Sequence, residues 1–318
     1  MLLNIILLVV GFVILIKGAD WFVDGASSVA YNFKVSKMLI GLTIVAFGTS
    51  APEFAVSVKS MLSGSGDIVL GNVIGSNILN ILLILGVASV IHTLNVKNTT
   101  VRKELPITLL ISTVFAVLLS DSLFDKKVEN AFTRGDGIAL LLFFCVFIYY
   151  LISMMRNKID DDQEEDKEMM KLPKAIVFTI VGIVSIVLGS NFVVESASFI
   201  ASSLGVSERM IGLTIIALGT SLPELVTSVI ATRKGEYDIA IGNVVGSNIF
   251  NMGVVIGLPV MLFGTIPNVT FNIVDIIVML LAALMLFVFS YNDNKLKRNE
   301  GIVFLLMFVA YYSYVIFG

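Results

Sequence analysis

The hexapeptide Gly48-Thr-Ser-Ala-Pro-Glu53 returns later in the chain as Gly219-Thr-Ser-Leu-Pro-Glu224, each time inside an apolar stretch long enough to cross a membrane. The offset of 171 residues holds without a gap over a longer segment, since Ile40–Glu53 matches Ile211–Glu224 at 11 of 14 positions. A second motif follows in the same register, where Gly71–Asn80 matches Gly242–Asn251 at 8 of 10 positions. The sequence therefore contains one ancestral unit twice.

The composition predicts an all-α integral membrane protein. The 318 residues are 57% hydrophobic and only 14% charged, whereas a soluble domain carries about 25% charged residues. The net charge of −3 gives no reason to expect a nucleic-acid partner. A single cysteine, Cys145, excludes a disulfide framework and a thiolate metal site. The apolar segment Met1–Ile16 lacks the basic region and cleavage site of a signal peptide, so we interpret it as the first membrane helix.

The apolar stretches indicate ten transmembrane helices, since about 17–25 apolar residues are needed to cross a bilayer. They cover roughly residues 2–19, 37–61, 68–91, 105–120, 137–154, 174–191, 208–232, 239–263, 271–290 and 301–317. The first and sixth are expected to continue as tilted helices to about residues 33 and 204. We predict two five-helix repeats, residues 1–154 and 174–318, joined by a short acidic linker at 155–173. Because five is odd, the second repeat enters the membrane from the opposite side, which gives the inverted topology common in secondary transporters. Channels use inverted repeats as well.

The distribution of Lys and Arg predicts the orientation, because cytoplasmic loops carry an excess of both residues. One set of loops, which includes the linker, holds fifteen of the 21 Lys and Arg residues, and the loops of the opposite side hold five. This places the linker in the cytoplasm and both termini outside. The compact loops favour a prokaryotic plasma (inner) membrane.

Both hexapeptides lie near the centre of their predicted spans, at the depth of the bilayer midplane. Pro52 and Pro223 lack an N–H group, and each ring clashes with the carbonyl four residues earlier. Non-helical backbone is tolerated at this depth only where it is buried in protein or lines a polar cavity. We therefore expect broken helices with released carbonyl groups at Ala46, Gly48, Ala217 and Gly219.

The two glutamates are the centre of the predicted site. Glu53 and Glu224 each place a carboxylate in the middle of a membrane span. An ionised side chain there costs about 2.5–3.5 kcal/mol on an insertion scale, and a bound cation would offset this cost. The same turns add hydroxyl oxygens from Thr49, Ser50, Thr220 and Ser221. The alternative is a pair of protonated glutamates held by structural hydrogen bonds.

The helix after each hexapeptide carries a polar face at a spacing of four residues. This face consists of Asn72, Ser76 and Asn80 in the first repeat and of Asn243, Ser247 and Asn251 in the second. We expect Ser76, Asn80, Ser247 and Asn251 to reach the bound ions, although polar faces can also serve only to join helices. Four glycines would allow close helix packing: Gly71, Gly75, Gly242 and Gly246. Since every candidate ligand is an oxygen, the site suits calcium, magnesium, sodium or manganese rather than zinc or copper.

The paired motifs resemble the two alpha repeats of the cation/calcium exchanger superfamily, specifically its sodium/calcium exchanger branch, over essentially the whole chain. The resemblance implies that Glu53 and Glu224 bind calcium together with main-chain oxygens near Thr49 and Thr220. It implies sodium sites that share both glutamates and add Thr49, Ser76, Thr220, Ser247 and carbonyls near Ala46 and Ala217. Asn80 and Asn251 would line the middle ion position. Members of the potassium-dependent branch typically carry aspartate where this chain has Asn251, so the neutral amide favours potassium independence.

These observations predict a secondary active antiporter rather than an enzyme. It would exchange sodium for calcium by alternating access, with three sodium ions per calcium by family resemblance and therefore electrogenically. Its partners would be Na⁺, Ca²⁺ and the lipid bilayer, and we expect no cofactor and no obligatory protein partner. The first and sixth helices lack the motifs and are expected to move across a fixed core. The alternatives are a calcium/proton antiporter, a potassium-dependent exchanger, a different divalent substrate and a passive cation channel.

Overall fold

The computed structural model of the protein describes residues 1–121, 130–156, 169–206, 215, 217–267, 269 and 272–317. Within these ranges the chain is almost entirely helical, which confirms the predicted all-α class. The helices are α1 (Leu2–Phe33), α2 (Lys37–Thr49), α3 (Ala51–Leu62), α4 (Gly66–Ile91), α5 (Thr100–Glu104 continued by Leu105–Leu118), α6 (Arg134–Arg156), α7 (Leu172–Ser203), α8 (Ala217–Thr220), α9 (Leu222–Arg233), α10 (Tyr237–Phe263), α11 (Ile273–Asp293) and α12 (Arg298–Phe317). Two short strands, β1 (Leu94–Asn95) and β2 (Lys295–Leu296), pair antiparallel.

Most of the predicted spans appear as long apolar helices. In the described ranges, seven single helices and the bent pair α2–α3 are long and apolar enough to cross a membrane, so the chain is a multi-pass membrane protein. Of the two other predicted spans, α5 begins with the charged residues Arg102, Lys103 and Glu104. The span at 208–232 includes residues 207–214 and 216, which lie outside the described ranges, as do residues 157–168 of the acidic linker. The count of ten helices and the repeat boundaries stay predictions.

Helices α1 and α7 are the longest in the described ranges, with 32 residues each, which confirms that the first and sixth predicted spans continue as helix. They run antiparallel along a seam of small residues, with Gly11 beside Gly189, Gly18 beside Gly182 and Gly25 beside Thr179. A Cβ at Gly182 would lie 2.7 Å from the backbone nitrogen of Phe22. The two backbones are therefore in direct contact, and no side chain separates them.

Helix α10 packs against α2 in the same close manner. A Cβ at Gly242 would lie 2.9 Å from the Cα of Gly41, and one at Gly246 would lie 2.7 Å from the carbonyl oxygen of Leu42. This confirms the predicted close approach for Gly242 and Gly246. Apart from the surrounding backbone of α4 itself, no described atom lies within 4 Å of the Cβ positions of Gly71 and Gly75. The segment 207–214, which is equivalent to part of α2 in the repeat register, is outside the described ranges.

Among the described residues, the buried apolar side chains form two clusters rather than one. The larger joins α4, α5, α10 and α11, and includes Val73, Phe115 and Val244. The smaller joins α1 and α7 to the flanks of α2, α9 and α10, and includes Phe22, Ile186 and Ala231. The long antiparallel pair thus has a core of its own beside the central helices.

The loops that connect the helices contact one another at two ends of the molecule. At one end β1 pairs with β2, and salt bridges join Lys37 to Glu236 at 2.7 Å and Lys97 to Asp238 at 2.9 Å. At the other end Phe132 and Ile266 form an antiparallel bridge. The loops that meet at the first end all belong to the set that the Lys and Arg count assigns to one side.

Candidate cation-binding site

Both hexapeptides interrupt a helix, as predicted. Helices α2 and α3 meet at an angle of 45°, and Ser50 between them leaves helical geometry with φ −82° and ψ 8°. Ser221 adopts nearly the same conformation, with φ −88° and ψ 4°, between α8 and α9. Pro52 and Pro223 occupy the first turn of the helix that follows, where a missing N–H group costs little. The break therefore lies two residues before each proline.

The carbonyl groups near the breaks have specific partners. The carbonyl oxygen of Gly219 accepts a hydrogen bond from Ser190 Oγ of α7 at 2.9 Å, as expected for a carbonyl released by Pro223. The prediction that the Ala46 carbonyl leaves helical pairing is wrong, because it accepts the Ser50 N–H at 3.0 Å. It still belongs to the site, since Thr49 Oγ1 at 3.3 Å and Ser247 Oγ at 3.4 Å also donate to it. Ala217 lies in the backbone of α8.

The two glutamates are held by serines of the opposite repeat. Ser50 Oγ donates to Glu224 Oε1 at 2.8 Å, and Ser221 Oγ donates to Glu53 Oε1 at 3.3 Å. Both carboxylates are only 1% exposed, and in the described part of the chain neither Oε2 atom has a hydrogen-bond partner. Because burying a charged oxygen without a partner costs several kcal/mol in a medium of low polarity, these two oxygens require a ligand or a proton.

The threonines of the hexapeptides stand beside the same carboxylates. The hydroxyl of Thr220 interacts with Glu53, and that of Thr49 with Glu224. Thr49 is fully buried, and its Oγ1 also lies 3.0 Å from Asn243 Oδ1. The structure thus brings both hexapeptides together around one pair of carboxylates.

Helices α4 and α10 supply the remaining predicted ligands. Ser221 Oγ lies 3.5 Å from Ser76 Oγ, and Ser247 contacts the Ala46 carbonyl as above. Asn80 and Asn251 are both 1% exposed, and within the described residues neither Oδ1 atom has a hydrogen-bond partner. The two motifs of each repeat therefore supply four buried oxygens that can still accept a bond. Two of these oxygens belong to carboxylates and two to amides.

Asn72 and Asn243 have a different role from the other members of the predicted polar face. Asn72 Nδ2 donates to Ser57 Oγ at 3.3 Å and to the Glu53 carbonyl at 3.2 Å. Asn243 Nδ2 makes the equivalent bonds to Ser228 Oγ at 2.9 Å and to the Glu224 carbonyl at 3.3 Å. Both asparagines join the helix of the second motif to the backbone of the glutamate, so they fix the position of the glutamate.

Several residues of the site were not predicted. Ser57, Ser228 and Ser190 make the bonds described above, and Asn77 and Asn248 lie between the two motif helices. The duplicated Gly-Ser-Asn sequence contained a signal for Asn77 and Asn248, but both fall outside the face defined by steps of four residues. Ser190 has no equivalent signal in the sequence, since the first repeat has Ala19 at that position.

The backbone around the second motif is also duplicated. A π-helical segment, Asn80–Leu85, follows the motif in α4, and Asn251–Ile256 follows it in α10. Such segments are rare and often occur at functional sites. In the described ranges no three His, Cys, Asp or Glu side chains converge, so any cation bound here must take neutral oxygens beside the two carboxylates.

The comparisons with known proteins identify the family. The family model for the sodium/calcium exchanger protein matches residues 3–153 and 174–317. The chain is 38% identical, over the full length of both proteins, to a putative antiporter, CaxA, of Alkalimonas amylolytica. It is 33% identical to the sodium/calcium exchanger MaX1 of Methanosarcina acetivorans, with 97% of each chain covered.

A solved structure supports the same conclusion. The sodium-calcium exchanger NCX_Mj, soaked with 2.5 mM Na⁺ and 1 mM Sr²⁺, has a TM-score of 0.85 and 30% identity, and the match covers 98% of each chain. The fold and these matches define a membrane transporter and not an enzyme. The chain belongs to the sodium/calcium exchanger family.

Proposed function

We propose that the protein is an antiporter that exchanges sodium for calcium by alternating access around Glu53 and Glu224. The observation that carries this proposal is the pair of buried carboxylates, each with one oxygen bound by a serine of the opposite repeat and one oxygen without a partner in the described residues. Two negative charges are balanced by one divalent cation or by two monovalent ones. Either load therefore neutralises the same pair, which is the requirement for competitive exchange.

The ligands of the ions are the oxygens of both motifs. Calcium binds to the two carboxylates and to main-chain oxygens near Thr49 and Thr220. Sodium sites share the carboxylates and add hydroxyl and carbonyl oxygens. The full set is Glu53, Glu224, Thr49, Thr220, Ser50, Ser221, Ser76, Ser247, Asn80, Asn251 and the carbonyls of Ala46 and Ala217. The unpartnered Oδ1 atoms of Asn80 and Asn251 support this set, because sodium and calcium prefer oxygen ligands.

The proposed stoichiometry of three sodium ions per calcium rests on the family resemblance, because the two carboxylates alone would be balanced by two sodium ions. Three sodium ions per calcium would move one net charge, so transport would be electrogenic. Asn251 is a neutral amide, and the two glutamates are the only carboxylates among the proposed ligands. We therefore expect exchange without potassium.

The architecture proposed for this mechanism is two inverted five-helix repeats. Its support is the antiparallel contact of α1 with α7 and the reciprocal bonding of Ser50 and Ser221 to the opposite glutamates. Since α1 and α7 share their own apolar cluster, we propose that they move together across the central helices. The excess of Lys and Arg places the 155–173 linker in the cytoplasm and both termini outside the plasma (inner) membrane.

Calcium uptake into proteoliposomes tests the exchange. Purified protein is reconstituted with internal sodium, diluted into sodium-free buffer with radioactive calcium, and compared with sodium-free vesicles. We expect uptake that requires internal sodium, survives a protonophore and does not require potassium. Because three sodium ions leaving for one calcium entering carry one net positive charge out of the vesicle, we expect an inside-positive potential to accelerate uptake and an inside-negative potential to slow it. Uptake driven by a proton gradient, uptake that requires potassium, or a leak without sodium would instead indicate the calcium/proton antiporter, the potassium-dependent exchanger or the channel.

Substitution of the glutamates tests the site. Glu53→Gln and Glu224→Gln keep the shape of the side chain and remove its charge, and each is expected to abolish sodium-dependent calcium uptake while the protein still folds. Glu195→Gln makes the same change on the exposed surface of α7 and serves as the matched control. Normal uptake by either site variant would refute the assignment of the carboxylates.

A further inference from the structure

Four asparagine side chains meet where α4 and α10 cross. Asn77, Asn80 and Asn251 are each 1% exposed, and Asn248 is 2% exposed. Asn80 and Asn251 belong to the proposed ligand set, whereas Asn77 and Asn248 do not. The hydrogen bonds among the four show what the second pair contributes.

The orientation of Asn248 is fixed by a backbone group. Its Nδ2 donates to the carbonyl oxygen of Asn77 at 3.4 Å, and a carbonyl oxygen can only accept. The amide nitrogen of Asn248 must therefore be on that side, and its Oδ1 is on the other side. This oxygen accepts a hydrogen bond from Asn80 Nδ2 at 2.9 Å.

The orientation of Asn80 follows from that of Asn248. Because Asn248 presents an acceptor, Asn80 must turn its NH₂ group toward α10, and its Oδ1 becomes the atom without a partner in the described residues. An asparagine amide has nearly the same shape after a half turn, which exchanges an oxygen for two donor hydrogens. Only the oxygen can bind a cation, so the choice between the two orientations decides whether Asn80 attracts or repels it.

A similar contact exists on the other side of the crossing. Asn251 Nδ2 lies 3.5 Å from Asn77 Oδ1, and Asn251 Oδ1 is the atom left without a partner in the described residues. Asn77 and Asn248 thus accept from the amide nitrogens of the two proposed ligands. The shorter bond and the backbone anchor belong to Asn248, so Asn248 orients its partner amide more strongly than Asn77 does.

We propose that Asn248 is a positioning residue that holds the Asn80 amide with its oxygen available to the transported cation. This inference rests on the proposed function, because it assumes that cations bind between the two repeats. Loss of Asn248 removes the acceptor for Asn80 Nδ2, so the Asn80 amide turns freely and presents its NH₂ group for part of the time. Calcium binding weakens although no ligand has been removed.

The first test is calcium binding to the purified protein, measured by calorimetry and by the rise in unfolding temperature with calcium. Asn248→Leu keeps the volume of the side chain and removes its acceptor, and is expected to weaken calcium binding about 3–10-fold. Asn248→Asp keeps an acceptor for Asn80 and is expected to bind calcium at least as tightly as the wild type. Equal losses in Asn248→Leu and Asn248→Asp would overturn the proposal.

A second substitution separates orientation from general packing. Asn80→Asp carries oxygens on both sides and has no NH₂ group to misplace, so its calcium affinity cannot depend on the acceptor at position 248. We expect the double variant Asn80→Asp with Asn248→Leu to bind calcium no more weakly than Asn80→Asp alone. If Asn248→Leu costs the same factor in both backgrounds, its role is packing and the inference is wrong.

The design also distinguishes this inference from the proposed function. Wild-type protein that binds no calcium, or Glu53→Gln protein that binds it normally, would refute the proposed function and the inference together. Wild-type binding that is lost in Glu53→Gln but unchanged in Asn248→Leu would refute the inference alone. If Asn248→Leu fails to fold, Asn248→Ala in the same two backgrounds gives the same comparison.

Discussion

Gly246→Ala would place a methyl group in the contact between α10 and α2. The added Cβ would lie 2.7 Å from both the Ala46 Cβ and the Leu42 carbonyl oxygen, and 2.8 Å from the Leu42 Cα. Carbon atoms in contact are normally about 3.5–4.0 Å apart, so the two helices must separate by roughly 1 Å. Overpacking of this kind costs about 1–3 kcal/mol, and the better helix propensity of alanine offsets only about 0.5–1 kcal/mol. We expect a net loss of about 1–2 kcal/mol in the free energy of unfolding.

The same separation would affect the proposed site. The contacts of Ser247 Oγ with the Ala46 carbonyl, at 3.4 Å, and of Thr49 Oγ1 with Asn243 Oδ1, at 3.0 Å, cross this interface. An additional 1 Å takes both beyond the range of a hydrogen bond. Since one such bond contributes about 1 kcal/mol, we expect calcium affinity to fall about 3–10-fold.

Thermal unfolding of the detergent-solubilised protein and calcium uptake into proteoliposomes measure the two effects. The control is Gly135→Ala at the start of α6, where the nearest atom, Thr133 Oγ1, is 3.4 Å from the new Cβ. This control is expected to be as stable as the wild type or slightly more stable. A Gly246→Ala protein with wild-type stability and uptake would show that α10 and α2 do not approach as closely as described.

Two further predictions concern polar contacts outside the central site. Tyr150→Phe removes the hydrogen bond to Glu104, and Tyr311→Phe removes the one to Asp275. Glu104 is fully buried and Asp275 only partly buried. We therefore expect thermal unfolding to show a loss of about 1–3 kcal/mol in the free energy of unfolding for Tyr150→Phe and a smaller loss for Tyr311→Phe. The opposite order would contradict the role of burial. Lys234 binds two aspartates and a carbonyl of α1, but it is partly exposed, so Lys234→Met should cost at most about 1 kcal/mol. That loss should shrink in high salt, and a salt-independent loss would argue against an electrostatic cause.

The sequence was sufficient to predict the two helix breaks and the two buried carboxylates, but not the hydrogen bonds that join one repeat to the other. Prolines in the middle of apolar spans predicted the helix breaks, and the glutamates beside them predicted buried carboxylates. An offset of 171 residues shows which residues are equivalent, but equivalence does not show contact. Ser50 and Glu224, which are in contact, belong to the two different copies of the hexapeptide, and only the packing of the two repeats brings them together.

The errors have a physical cause as well. Pro52 removes the helical bond to the carbonyl four positions earlier, that of Gly48, and the sequence alone does not show that the neighbouring Ala46 carbonyl keeps its own bond. The chain instead leaves helical geometry at Ser50, whose N–H group still reaches Ala46. Asn77 and Asn248 were missed because a pattern of four-residue steps describes one face of a helix, whereas these residues bond between α4 and α10 from an adjacent face.

The duplicated chain differs between its halves mainly away from the carboxylates. The bonds of Ser50 and Ser221 to the opposite glutamates, and those of Asn72 and Asn243 to the glutamate backbone, occur in both halves. Lys234 and its bonds to Asp20 and Asp24 have no chemical equivalent, because the corresponding positions are Ser63, Asn191 and Glu195. Two halves with identical ends would make the two orientations of an alternating-access transporter equal in energy. In the proposed mechanism, the contacts at the helix ends would therefore set the balance between the two orientations, while the duplicated centre would give both orientations the same ligands for the ion.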